Sequence, residues 1–258
     1  MGKMFAEERR NIILNQLQKD KRLTVKELAN SLQVSEATLR SDLNIMENKG
    51  LLIRTHGGAV LNENLPPKSN FTERAMKNID SKIIIANRAI EFIQYKNSIL
   101  LDASTTALEL ARKLKDTDLK LTVVTSGLST AMELKENPNI NVIVLGGIAR
   151  MGSMGLEGLI GSSILDKIHI DVLFSSASGF TIVDGLTDFN VYEVELKRQM
   201  VQKANKIVAL IDHTKIGTSS ISSFATTEQI DALITDKQLS EGLLNELASH
   251  NIKVIDRK

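Results

Sequence analysis

The chain has 258 residues, of which 42% are hydrophobic, 24% charged and 3% aromatic, with no cysteine and a formal net charge of +1. This composition excludes a disordered chain, a disulfide-stapled scaffold, a thiolate metal site and a cysteine nucleophile. The longest nearly uncharged apolar stretches, residues 141–147 and 172–178, fall far short of the roughly 20 residues a membrane-spanning helix needs. The start of the chain lacks a basic-then-apolar leader, so a soluble cytoplasmic protein is expected.

The charge is unevenly placed. Residues 1–60 hold ten Lys and Arg against seven Asp and Glu, and the remainder hold 22 against 24, a positive excess that suits a polyanion partner for the N-terminal part. The apolar spacing predicts a first helix from about Ala6 to Lys19, with Ile12, Ile13, Leu14 and Leu17 along one stripe. A second helix opens at Thr24, whose hydroxyl caps it while Glu27 completes a capping box. Val25, Leu28, Ala29 and Leu32 face inward on it. A turn at Gln33-Val34 leads to the cap Ser35 and a third helix ending near Lys49-Gly50. Leu39, Leu43 and Met46 share its inner face, which turns Ala37, Ser41, Asn44 and Asn48 outward and leaves Thr38 and Arg40 on the flanks. A small, polar outer face is what a helix entering a DNA major groove requires. Residues 53–60 alternate about a Gly57-Gly58 turn and are expected to form a hairpin wing.

The linker is placed at residues 62–74, where Pro66-Pro67 stiffens a polar stretch, between a unit of residues 1–61 and one of 75–258. A helix is expected from about residue 75 through Asp80 to Phe92. Beyond it, strands are expected at Ile99–Leu101, Leu121–Val124, Val142–Leu145, Val172–Phe174, Ile207–Ile211, Ala232–Thr235 and Lys253–Ile255. Helices are expected near Thr106–Leu114, Leu128–Glu136, Leu156–Ile168, Val191–Gln202 and Leu239–His250. Apolar strands alternating with helices predict a mainly parallel, doubly wound α/β domain whose ligand lies beyond the carboxyl ends of the strands.

The loops leaving those ends are rich in glycine and hydroxyl residues. Ser104-Thr105-Thr106 opens a helix, where free amides and the positive dipole end favour a phosphate. Lys215 and Arg150 add charge, while Asp102 either accepts from sugar hydroxyls or caps the helix. No P-loop, dinucleotide fingerprint or metal-ligand spacing is present, so no cofactor is expected. Glu193, Glu195 and Lys197 have the spacing of a solvated helix face.

Both units resemble the DeoR family of bacterial transcriptional regulators. The N-terminal match is carried by the runs at 23–29 (LTVKELA), 34–43 (VSEATLRSDL) and 50–60 (GLLIRTHGGAV), and the C-terminal match by residues 101–106 (LDASTT), 124–126 (VTS), 145–147 (LGG), 193–200 and 210–215 (LIDHTK). The resemblance implies a repressor of a carbohydrate operon, a C-terminal fold similar to ribose-5-phosphate isomerase, a phosphorylated-sugar effector and a homo-oligomer, dimer or tetramer, on double-stranded operator DNA. Carried over residue by residue, Ser35, Thr38, Arg40 and Ser41, beside outward Ala37, face DNA from the third helix, and Arg54, His56 and Gly57 from the wing. Asp102, Ser104, Thr105, Thr106, Thr125, Ser126, Gly146, Gly147, Arg150 and Lys215 become the effector candidates. The chain departs from the family at Ser41, where a second arginine is usual, at Ser126, where Asn is common, and at Ser178, where Asp is common. The alternative is a sugar-phosphate isomerase carrying a DNA-binding unit, but the loop 175–179 (SSASG) offers no carboxylate base.

Overall fold

A computed structural model describes residues 9–10, 12–13, 16–17, 20–48, 52–61 and 71–256. The chain divides into a unit built mainly from residues 1–69 and a larger one built mainly from residues 70–258.

In the smaller unit Arg9, Arg10, Ile12, Ile13, Gln16, Leu17 and Asp20 are helical, with Ile13 and Leu17 fully buried. Leu14 of the expected stripe lies outside the described residues. A short strand, β1 (Arg22–Thr24), then runs into helix α1 (Val25–Leu32). Thr24 caps α1 by accepting from the Glu27 amide at 3.2 Å, but Glu27 returns its carboxylate to the Thr24 hydroxyl at 2.7 Å, not to the Thr24 amide as a capping box does. Gln33 closes α1 in the left-handed conformation, φ 53°, and gives the sharp turn into α2 (Glu36–Asn48). Leu39, Leu43 and Met46 are fully buried against Leu28 and Ile13.

The wing consists of β2 (Leu52–Thr55) and β3 (Gly58–Leu61), antiparallel with Thr55 opposite Gly58. Its turn is therefore His56-Gly57, and Gly58 is a strand residue. The reason is β1, which pairs with β3 so that Thr24 faces Gly58. A Cβ on Gly58 would lie 1.9 Å from the Leu23 carbonyl oxygen, so only glycine lets the strands meet.

The larger unit begins with α3 (Phe71–Met76) and α4 (Ile79–Ala89). The main sheet follows: β4 (Ser98–Leu101), α5 (Thr105–Leu114), β5 (Leu121–Thr125), α6 (Leu128–Leu134) and β6 (Ile140–Val144). A two-stranded excursion, β7 (Ile148–Ala149) with β8 (Leu156–Glu157), precedes β9 (Ile170–Ser175). Next come the antiparallel pair β10 (Gly179–Thr181) and β11 (Gly185–Asp188), then α7 (Val191–Lys203), β12 (Ala204–Leu210), β13 (Ser222–Ala225), which joins β11, and β14 (Ala232–Ile234). Helix α8 (Glu241–Ser249) and β15 (Lys253–Ile255) complete the unit.

All seven expected strands form one sheet, in the order β15-β14-β12-β9-β4-β5-β6, with every neighbouring pair parallel. Alternate residues enter two separate cores. Leu100, Val124, Leu173 and Ala209 face one, and Ile99, Leu101, Val123, Phe174 and Val208 the other. This is why the strands read as unbroken apolar runs.

The expected helix at Leu156–Ile168 does not form; β8 and a short 3-10 turn at Ser162–Asp166 take its place. Gly158 sits at φ +80°, and a Cβ on Gly161 would meet the Gly146 backbone at 2.3 Å. Glycine's weak helix propensity and this close approach override the apolar spacing. The small sheet of β10, β11 and β13 has no counterpart in the expectation, because its strands are too short to show a period.

Candidate functional sites on the two units

On the smaller unit, α2 presents Ser35, Ala37, Arg40, Ser41 and Asn44 to solvent, with Thr38 half-buried. Ser35 caps the helix through the Thr38 amide at 3.1 Å, and the two hydroxyls are 2.8 Å apart. Arg40 is loosely paired with Glu36 at 3.3 Å, an exposed pair of little energetic weight that a phosphate or base can displace. His56 and Gly57 are exposed at the wing tip. Arg54, expected at the DNA backbone, also makes contacts within the unit. Its Nη1 donates to the Arg40 carbonyl at 3.2 Å and to Asn44 Oδ1 at 2.5 Å, while its amide donates to Glu47 at 2.9 Å. It braces the wing against the helix. Asp42, unnoticed in the sequence, is buried and accepts from Arg9 Nε at 2.6 Å, with Arg10 at 3.5 Å; it ties α2 to the first helix.

On the larger unit the strand order reverses between β4 and β9: the chain moves outward from β4 to β5 and β6, and in the other direction from β9 to β12, β14 and β15. The loops after β4 and β9 therefore part, leaving a crevice at their carboxyl ends. Asp102 follows β4 and is wholly buried. Its Oδ1 accepts from the Ser104 amide at 3.0 Å, and its Oδ2 from the Ser175 hydroxyl at 2.7 Å and the Ser176 amide at 2.9 Å. Of the two roles open to it, capping is the one filled, and Asp102 also fastens the two diverging loops together.

Ser104 caps α5 through the Ala107 amide at 3.1 Å, leaving the first-turn amides of Thr105 and Thr106 without intrahelical acceptors. The Thr106 hydroxyl donates to Ser176 Oγ at 3.4 Å, and Lys215 Nζ donates to the same oxygen at 3.2 Å. Lys215 also lies 3.4 Å from Asp212. A helix start, two hydroxyls and a mobile ammonium thus converge. Thr125, Ser126, Gly146, Gly147 and Arg150, also effector candidates, make contacts within the framework. Thr125 accepts from the Gly127 amide at 3.0 Å, and Ser126 is buried with its carbonyl accepting from Leu156 at 2.8 Å. Gly146 packs on Gly161, and a Cβ on Gly147 would strike the Glu157 carbonyl at 2.6 Å. Arg150 is 3.0 Å from Glu157 and lies over the Tyr192 ring at 4.1 Å.

Lys197 corrects the sequence expectation most. It is no solvated face residue but buried, its Nζ 2.7 Å from Asp188, 2.8 Å from the Ser176 carbonyl and 3.2 Å from Asp102. Ser178 donates to Asp188 at 2.5 Å. Burial alone would raise the Asp188 carboxyl, yet the charge and hydrogen bond of Lys197, with Ser178 and Arg74, hold it below its ordinary range. Burial alone would lower Lys197, but Asp188, Asp102 and Glu193 carry it above its ordinary range. Glu193 is the carboxyl that gives way. Burial first and Asp188 second raise it to about 7, against the pull of Lys197 and Arg74. The helical spacing of Glu193 and Lys197 was visible, but nothing in it announced that α7 packs with this face inward.

Glu193 makes a pH prediction. Between its ordinary value of 4.5 and about 7 the folded chain keeps a proton that the unfolded chain has lost, so this group's contribution is full below pH 4.5 and is lost as pH rises through 7. Glu193→Gln should flatten thermal stability over that window, as followed by calorimetry between pH 5 and 8. An unchanged slope would show that Glu193 is charged in the fold at pH 5.

Comparison with known proteins agrees across both units. Residues 9–64 match the DeoR-like helix-turn-helix domain and residues 77–237 the DeoR C terminal sensor domain. The HTH-type transcriptional regulator GolR of Listeria innocua is 46% identical over 97% of this chain and 98% of that protein. The regulator GlpR of Haloferax volcanii is 34% identical over 98% of each chain, and the repressor GlcR of Bacillus subtilis 31% over 98% and 96%. Among solved structures, ribose 5-phosphate isomerase A of Methanocaldococcus jannaschii aligns over 54% of this chain and 55% of its own, at 18% identity and a TM-score of 0.42.

Proposed function

The chain belongs to the DeoR family of DNA-binding transcriptional regulators, and from that premise we propose that it is a cytoplasmic repressor whose operator affinity is set by a phosphorylated sugar bound between the loops after β4 and β9. The observation that carries this is the convergence of Thr106 and Lys215 on Ser176 at the start of α5. The phosphate occupies the Thr105 and Thr106 amides and Lys215. Glu193 and Asp188, the latter held in place by Lys197, offer the sugar hydroxyls their polar partners, while Ser35, Thr38, Arg40 and Ser41 read the operator with His56 and Gly57 at the wing. Residues 1–61 act as the DNA-binding domain and residues 75–258 as the effector domain, in a homo-oligomer that spans two half-sites. The sugar shifts the equilibrium only by its differential affinity for the two regulatory states.

Fluorescence anisotropy of operator fragments from upstream of the gene, at fixed salt, with and without hexose, pentose and ketose phosphates tests this. Arg40→Ala should weaken operator binding by about 1–3 kcal/mol with the sugar response intact. Lys215→Ala with Thr106→Ala should abolish the response and leave basal binding unchanged. Equal loss of both functions in either variant would reject the assignment.

One observation favours an isomerase as the second reading. Glu193 at about 7 has the poise of a general base. Against it, Asp102 is saturated by four donors and Ser178 stands where the second acid is required. Turnover of an aldose–ketose phosphate pair that Glu193→Gln abolishes would establish the isomerase reading.

A further inference from the structure

Arg74, in the last turn of α3, has no part in the site as described so far. Its Nε is shut off from solvent, and among the described residues the side chain makes no hydrogen bond. A buried donor without an acceptor is costly and rare, more so on a charged group. Helix α3 packs on α5, which brings Arg74 beside the crevice, and Asp188 and Glu193 there are both drawn down by its charge. Neither is a free acceptor for it, since Asp188 is engaged by Ser178 and Lys197, and Glu193 is held near neutral by burial and Asp188.

Lys82, on α4, shows how Arg74 is held in place. Its side chain is buried, and Nζ donates to the carbonyls of Arg74, Lys77 at 2.6 Å and Ala75 at 3.4 Å. Three acceptors satisfy an ammonium completely, so Lys82 acts as a clamp on the end of α3 with no donor to spare. It feels Lys215 and Arg74 as repulsion and Asp212 as attraction, and burial with these charges lowers it to about 8. Arg74, Lys82 and Lys215 therefore form one cationic region beside the start of α5, and Arg74 is the member with donors left over.

We propose that Arg74 is an anion-binding residue of the crevice, closing its guanidinium fork on the same anionic group that Lys215 and the first turn of α5 receive. The inference rests on the reading that a phosphorylated ligand binds there. It adds a means of regulation: α3 is the first helix after residues 62–70, so a ligand that holds Arg74 holds the element continuous with the segment leading to the DNA-binding unit. Occupancy then changes the stability of α3, and with it the preference between regulatory states.

The test uses the full-length protein and inorganic phosphate, titrated by 31P line broadening, in the unsubstituted chain and in Arg74→Gln, Arg74→Lys and Lys215→Ala. Loss of one charge-assisted contact should raise the apparent Kd of Arg74→Gln about tenfold or more, with Arg74→Lys intermediate because it keeps the charge. Phosphate should also slow amide exchange at residues 74–77 in the unsubstituted chain and not in Arg74→Gln. If Arg74→Gln binds as the unsubstituted chain does while Lys215→Ala loses binding, the site stands and the role of Arg74 is overturned. Arg74→Lys no better than Arg74→Gln, at equal melting temperatures, also overturns the charge contact. No broadening in the unsubstituted protein removes the phosphate site and this role together.

Discussion

Lys197→Met is expected to lower the melting temperature of the larger unit by about 10 °C, from the loss of about 3–5 kcal/mol when one partner of a buried ion pair is removed. Methionine fills a similar volume and keeps the contact with the Phe224 ring, over which Nζ lies at 4.8 Å, so the loss is electrostatic and not a cavity. Asp188 and Asp102, 4% and 0% exposed, would be left as buried carboxylates facing one another without a cation. Burial then raises Asp188 above its unfolded value, so this group should add stability as pH falls, the reverse of its contribution in the unsubstituted protein, where its carboxyl is held low. Lys197→Met combined with Asp188→Asn should recover part of the loss. A melting temperature within 2 °C of the parent, by calorimetry at pH 7, would mean that water reaches the network.

Gly58→Ala is expected to remove operator binding while leaving the effector domain folded. The new methyl would stand 1.9 Å from the Leu23 oxygen and 2.8 Å from Thr24 Cα, both backbone atoms that no side-chain rotation clears. Relief requires parting β1 from β3, which also breaks the Val25 amide to Gly57 carbonyl hydrogen bond of 2.8 Å. Overpacking of this kind costs about 1–3 kcal/mol or more, a large share of the stability of a unit this small. Gly57→Ala is the folding control, since a Cβ there meets nothing within 4 Å, and it should melt within about 2 °C of the parent. Gly58→Ala melting with Gly57→Ala and binding operator as tightly as the parent would contradict the three-stranded wing.

The sequence made the outline of both units legible because their periods are long and their caps explicit. Leu39, Leu43 and Met46 fall on one side of a helix at any reasonable placement, and seven β-branched runs separated by helices leave a parallel sheet as the economical arrangement. The same spacing misled where two glycines needed close contact, at Gly161, and where a pair of glycines looked like a turn, at Gly57-Gly58. Local pattern carries no record of which backbone will lie across a glycine. Ser104, Thr105, Thr106 and Lys215 stand out in the sequence because helix starts and hydroxyl-rich loops announce anion chemistry by themselves. The buried or bridging contacts of Asp42, Arg54, Arg74, Lys82, Asp188 and Lys197 were not legible because each looks like an ordinary surface charge until a distant partner is supplied.

By itself, then, the sequence determined the two units, the polar outer face of α2, the doubly wound class and the hydroxyl-rich loops at the strand ends. These follow from hydrophobic period, capping and turn chemistry, which act over a few residues. The tertiary structure decided which side chains face the crevice and which merely support it, which glycines are steric necessities, and which charges are buried. A carboxylate such as Asp102 acquires its role from Ser175, Ser176 and Lys197, more than seventy positions away, and the energy of a charge depends on the dielectric and partners that only the folded chain brings around it.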